Sequence, residues 1–206
     1  MESSITRKPD SLLYAGWITL NALCIPIAWG ITFFVITQIE NVIGGTILVN
    51  GQTRITEDYL ASFVLFPLLG LITGLSQYLL LRRYLAKMGW WVAATFLGWI
   101  LPFITLMLAN SFFQIKQMDD STISTSILFF LMGGLFGSIQ WLALRKKIRN
   151  SGWWILANAA GWGLVLWITK GDISNSLAGL TFSILPPLIT CFVLWILLTW
   201  SRRKDL

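Results

Sequence analysis

Two glutamines 63 residues apart, Gln77 and Gln140, offer the most chemistry in a chain dominated by apolar runs. Each closes a glycine series of the same spacing, Gly70-x3-Gly74-x2-Gln77 and Gly133-x3-Gly137-x2-Gln140. Steps of four and three keep each trio on one face of a helix. Glycines four apart let a second backbone approach closely, and an amide on the same face can then bond across the contact. Gln140 stands five residues before Arg145, and Asn158 five residues after Trp153; Thr95 holds the position of Asn158 in the other series. Antiparallel neighbours would bring these groups to one depth, so a Gln140–Asn158 and a Gln77–Thr95 hydrogen bond are expected. Asn21 adds another amide in the first apolar run. Such groups either join helices or line a ligand site, and helix packing is the favoured reading.

Acid–base, nucleophilic and metal chemistry have little to work with. The chain has no histidine, the commonest general base and metal ligand. No acid or base lies well inside an apolar run, where proton relays and ion-coupled pumps place theirs. Phosphate-loop, nucleophile-elbow, zinc-protease and Cys-x-x-Cys patterns are missing. Cys24 and Cys191 both fall within apolar runs and read as small hydrophobes. No catalytic residue, metal or cofactor is therefore expected.

The elements that must position the amides are membrane spans. Of 206 residues 56% are apolar and only 12% charged, with a mean hydropathy of +0.72. A soluble domain carries roughly twice that charge. Six continuous apolar runs, 12–37, 59–81, 90–113, 123–144, 153–169 and 177–200, are long enough or nearly so to cross a bilayer. The fold class expected is an all-α integral membrane bundle of about six transmembrane helices, forming a single domain.

Charge patterning tests that count independently. Arg7 and Lys8, then Arg82, Arg83 and Lys87, then Arg145, Lys146, Lys147 and Arg149, then Arg202, Arg203 and Lys204 all fall on one side of such a bundle. Only Arg54, Lys116 and Lys170 fall on the other, with six acids: Glu40, Glu57, Asp58, Asp119, Asp120 and Asp172. The positive-inside rule puts both termini and both basic turns in the cytoplasm. An even number of spans requires the termini to share a side, and they share a sign. The net charge of +6 thus serves orientation and contact with anionic lipid headgroups, and nucleic acid is excluded as a partner.

The glutamine series belong to a longer parallel repeat. Over a 30-residue window, 12 positions are identical at an offset of 63 without a gap, running from Gly70 to Trp99 and from Gly133 to Trp162. The window includes Trp90-Trp91 and Trp153-Trp154, directly after the basic turns, where paired indoles read as interfacial anchors. Adjacent helical residues point about 100° apart, so one of each pair can face lipid and the other the bundle. A fainter third copy joins Gly16-Trp17 and Asn21 to the last run, with its Trp195, Trp200 and Arg202. In the first outer loop, 38–58, Asn50-Gly51 between two β-prone runs predicts a small hairpin. Pro186-Pro187 with Thr190 marks a kink that can open a small cavity.

The combination of Gly-x3-Gly-x2-Gln before Leu-x-Leu-Arg, then Gly-Trp-Trp-x2-Ala-x3-Gly-Trp, resembles a recurrent pattern of small multispanning bacterial membrane proteins of cyanobacterial type. The resemblance covers roughly residues 64–162. It implies a bacterial inner or thylakoid membrane and brings no activity with it. Six spans in so short a chain are also similar in fold to the substrate-binding membrane subunits of energy-coupling-factor vitamin transporters. The functional expectation is a binding, assembly or accessory subunit whose partner is another membrane protein or a lipid; the alternative is a small-molecule binding or transport subunit with a cavity near Asn21, Gln77, Gln140 and Asn158.

Overall fold

A computed structural model describes residues 5–49, 51–113, 122–170 and 176–202. The chain is all-helical apart from one hairpin: α1 (Ser11–Ile43), β1 (Thr46–Val49), β2 (Gln52–Ile55), α2 (Thr56–Leu81), α3 (Trp90–Phe113), α4 (Thr122–Leu144), α5 (Trp153–Ile168) and α6 (Ser176–Arg202). Four helices, α1, α2, α4 and α6, are long and apolar enough to cross a membrane. Of the other two, α3 runs for 24 residues, with its side chains described without a break only over Trp90–Thr105, and α5 has 16 residues. Each helix packs against its neighbours in the chain, and α6 returns to α1, so the six close into a ring.

Boundaries follow local chemistry. The Asp10 carboxylate accepts the Leu13 amide proton at 3.1 Å and caps α1. The first helix runs six residues beyond the predicted 37 and stops at Gly44, whose φ of 92° lies outside helical space. The hairpin follows at once, pairing Thr46 with Ile55 through Val49 with Gln52, with Gly51 at φ 77° in the turn. Asn50 lies outside the described residues. Thr56 fastens the base of the hairpin, its hydroxyl donating to Gly44 O at 2.8 Å and its amide to Gly45 O at 3.0 Å.

The glycines set the closest helix contacts. A Cβ on Gly70 would stand 2.9 Å from Phe96 Cα, and one on Gly74 would stand 3.1 Å from Val92 O, so α2 and α3 meet backbone to backbone. The α4–α5 contact is tighter: a Cβ on Gly133 would meet Asn158 O at 2.6 Å, and one on Gly137 would meet Ile155 Cα at 3.0 Å. The repeated positions also share environments. Leu81 and Leu144 are both fully buried, and Lys87 and Asn150 both adopt left-handed backbone, at φ 53° and 54°. Arg82 lies over the Tyr78 ring at 6.0 Å, and Arg145 over the Trp141 ring at 5.7 Å.

The expected acids and cations at 116, 119, 120, 172, 203 and 204 lie outside the described residues, as does the side chain of Asp58. Of the N-terminal segment, residues 5–10 cross the turn after α2. Thr6 N donates to Tyr84 O at 2.9 Å, and Ile5 bridges Leu85. The Tyr84 hydroxyl donates to Asp10 Oδ1 at 2.6 Å, while Arg7 pairs with Asp10 Oδ2 at 2.9 Å.

Candidate functional site: a hydrogen-bonded hub within the ring

The polar side chains of the spans converge near the basic end of the ring, and every helix contributes. Gln77 of α2 donates from Nε2 to Asn21 Oδ1 of α1 at 2.6 Å. Its Oε1 accepts the Trp91 indole proton from α3 at 2.8 Å. Gln140 of α4 donates to Thr95 Oγ1 of α3 at 2.9 Å and accepts the Trp154 indole proton from α5 at 2.9 Å. Gln140 Nε2 also lies 3.4 Å from Gln77 Oε1, and Thr95 Oγ1 lies 3.5 Å from the same oxygen, so the two repeated amides touch. Trp17 of α1 donates its indole proton to Thr190 Oγ1 of α6 at 3.1 Å, and that hydroxyl donates back to Pro186 O at 2.8 Å.

Three indoles form the floor of the hub, towards the basic turns. Trp17, Trp91 and Trp154 meet pairwise edge to face, with centroids 5.7 to 6.3 Å apart. Each is 1% exposed or less. Below them lies an apolar plug that includes Leu81, Leu85, Leu144, Ile148, Leu194 and Leu198. The geometry repeats around the ring: the residue four positions after each tryptophan is Asn21, Thr95 or Asn158. Edge-to-face rings plus satisfied indole protons make a rigid centre.

Two sequence expectations need correction here. Asn158 does not bond Gln140; its Nδ2 donates to its own helix at Trp154 O, 2.9 Å, as Asn21 does to Trp17 O at 2.7 Å. The indoles reach the glutamine oxygens first, and Gln140 Nε2 turns instead to Thr95 on α3. Each glutamine therefore closes its own helix pair by accepting an indole proton and links to the preceding helix by donating, Gln77 to Asn21 and Gln140 to Thr95, and the long Thr95–Gln77 contact is the weaker of Thr95's two. Trp91 and Trp154 are also not interfacial anchors: both are buried, whereas Trp90 and Trp153 are 80% and 55% exposed and take that position.

The remaining predicted residues sit at the rim. Arg82, Arg83, Lys87, Arg145, Lys146 and Arg149 are exposed, and Lys147 is half-buried, donating from Nζ to Ala86 O at 2.5 Å. Burial and the neighbouring Lys87 push the Lys147 ammonium below its usual range. Cys24 and Cys191 are buried free thiols. Among the described residues no group of acids or thiols is placed to hold a metal.

Above the hub lies a cavity of about 40 Å³, lined by Asn21, Gln77, Gln140 and Asn158 together with Trp99, Trp162, Pro186 and Pro187. That is room for water rather than for a vitamin-sized molecule, which needs several hundred Å³. The Trp99 indole nitrogen is buried there without a hydrogen-bond partner. A second cavity of about 130 Å³ adjoins it between α2, α3, α4 and α5, walled by aromatic rings including Phe66, Phe103 and Phe136. Thr190 and Trp17 extend the hub to α6. The Trp-x3-Asn spacing shared by 17–21 and 154–158 was the signal for Trp17; Thr190 has only its place after the paired prolines. Compared with protein-family models, curated proteins and solved structures, the chain matches none.

Proposed function

We propose that this chain is a six-span protein of a bacterial inner or thylakoid membrane, with termini and basic turns in the cytoplasm, that works as a binding or assembly subunit rather than as a catalyst. Its spans form three two-helix units, α2–α3, α4–α5 and α6–α1, each placing one tryptophan on the preceding helix's polar side chain. The shared left-handed turns and the three matching indoles support that repeat. The 24 residues of α3 span about 36 Å, and the 16 residues of α5 about 24 Å, within reach of a bilayer that thins around it.

One observation carries the functional reading. The polar groups that a substrate site would need are bonded to one another, and what remains beside them is water-sized. Function then belongs to the perimeter. Gly30 of α1 is exposed, with open space where a side chain would stand, beside the exposed rings of Trp29, Phe33 and Phe34. Such a notch accepts a helix of a membrane partner. The aromatic cavity next to the unpaired Trp99 indole favours a second reading, a small-molecule subunit similar in kind to vitamin-transporter substrate subunits.

The test is capture of the tagged protein in gentle detergent, with mass spectrometry of both proteins and small molecules. A stoichiometric membrane protein, released by Gly30→Trp and kept by a control such as Phe192→Trp on exposed α6, is the expected result. A lone chain carrying a small molecule that is lost on Trp99→Phe would replace the assembly reading with the second one.

A further inference from the structure

At the α3–α4 seam a large groove opens at the basic end of the ring. It measures about 650 Å³ and lies between the turn at Lys87 and the start of the turn at Arg145. Its wall is apolar, with Leu97 and Leu142 exposed at 44% and 52%, and Trp90 stands at its edge. Its mouth holds Lys87, Arg145, Lys146 and Lys147, and among the described residues no acid lines it. Cations gathered there repel one another, and Lys87 acts on Lys147 in that sense.

The α1–α2 seam shows what meets such a mouth elsewhere in the chain. There residues 5–10 lie across the turn after α2, and Asp10 supplies a carboxylate between Arg7 and the Tyr84 hydroxyl. At the α3–α4 seam Lys147 ties the two turns together by donating to Ala86 O.

We propose that this groove binds one anionic phospholipid of the inner leaflet, its phosphate held by Lys87, Arg145 and Lys146 and an acyl chain laid along the apolar wall towards Leu97. The inference rests on the reading that the basic turns face the cytoplasmic leaflet. A soluble phosphate would use the mouth and leave the wall empty; a zwitterionic lipid would use the wall and bring its own cation to the mouth. An anionic lipid satisfies both.

Native mass spectrometry of the full chain, released from nanodiscs of equal phosphatidylglycerol and phosphatidylcholine with matched acyl chains, tests it. One retained phosphatidylglycerol per chain is expected. Arg145→Gln with Lys146→Gln should cut the preference about thirtyfold, from the usual attraction of two juxtamembrane cations. Lys87→Glu, at an exposed position, should do so independently, whereas Arg82→Gln with Arg83→Gln should not. Equal retention of the two lipids, unchanged retention in both groove variants, or displacement by millimolar inorganic phosphate would overturn the assignment. Impermeant thiol labelling of an Arg149→Cys chain, at an exposed position of the same turn outside the groove, separates the two ideas: lipid selectivity with position 149 labelled from outside keeps the groove and rejects the topology, and the reverse result does the opposite.

Discussion

Gln140 is fully buried and has three neighbours to satisfy: the Trp154 indole, the Thr95 hydroxyl and the Gln77 oxygen. Replacing it with leucine keeps the volume and orphans a buried indole proton. That costs about 1–3 kcal/mol in water-soluble proteins and about 0.6–2 for interhelical bonds in membranes. Gln140→Leu is therefore expected to lower unfolding stability in mixed micelles by about 1–2 kcal/mol, with Gln77→Leu at least equal because Asn21 loses its donor as well. No loss in either would mean the hub is incidental. Asp10 makes a different prediction. The Tyr84 hydroxyl, then the Leu13 amide and Arg7, hold its carboxylate below the ordinary 3.8. A depressed carboxylate stabilises the folded chain above its unfolded pKa, and that contribution is lost as pH falls through the folded one. The clasp of residues 5–10 should hold at neutral pH and loosen below pH 3.8, read as a falling hydrogen-exchange protection factor at the Thr6 amide. Asp10→Asn should loosen it at neutral pH and flatten the dependence.

Between helices, the glycines decide what fits. A methyl on Gly133 would collide with Asn158 O at 2.6 Å and Trp162 Cβ at 2.9 Å, both on an α5 that is held on its other side by α6. One residue on, a methyl on Gly134 would meet only Ala159 Cβ at 3.7 Å, an ordinary contact. Gly133→Ala should destabilise by about 1–3 kcal/mol and Gly134→Ala by far less, in the same micelle assay. This pair of residues also shows what was legible in advance. The Gly-x3-Gly-x2-Gln spacing located the contact face, the basic clusters the turns and Asn50-Gly51 the hairpin, because each follows from a local rule about period, charge or turn chemistry. The bonding pattern did not follow, because depth matching ranked Asn158 as the partner of Gln140 while the indole of Trp154, fourteen residues along, reaches the same oxygen. Nor could period alone tell that Trp91 turns inward and Trp90 outward; a ring of six helices has to exist before "inward" is defined.

At the scale of the whole molecule, the ring places its polarity at the centre and its cations at one end. The apolar perimeter, with exposed Trp90 and Trp153 near the basic rim, has the layout of a protein surrounded by lipid. The sequence carried that layout through its apolar runs and the sorting of its charges; what it could not carry is the closure of α6 onto α1 and the sealing of the hub, which depend on Trp17 meeting Thr190 across the length of the chain. The central claim is that all six helices cross, including the 16 residues of α5. A single cysteine at position 146, labelled from outside intact cells with an impermeant maleimide in a Cys24→Ala, Cys191→Ala background, tests it most directly. With six spans the site is cytoplasmic, so it stays unlabelled until the cells are opened, while a Gln52→Cys control in the hairpin reacts at once. If only α1, α2, α4 and α6 cross, position 146 lies outside, and immediate labelling there would contradict the account.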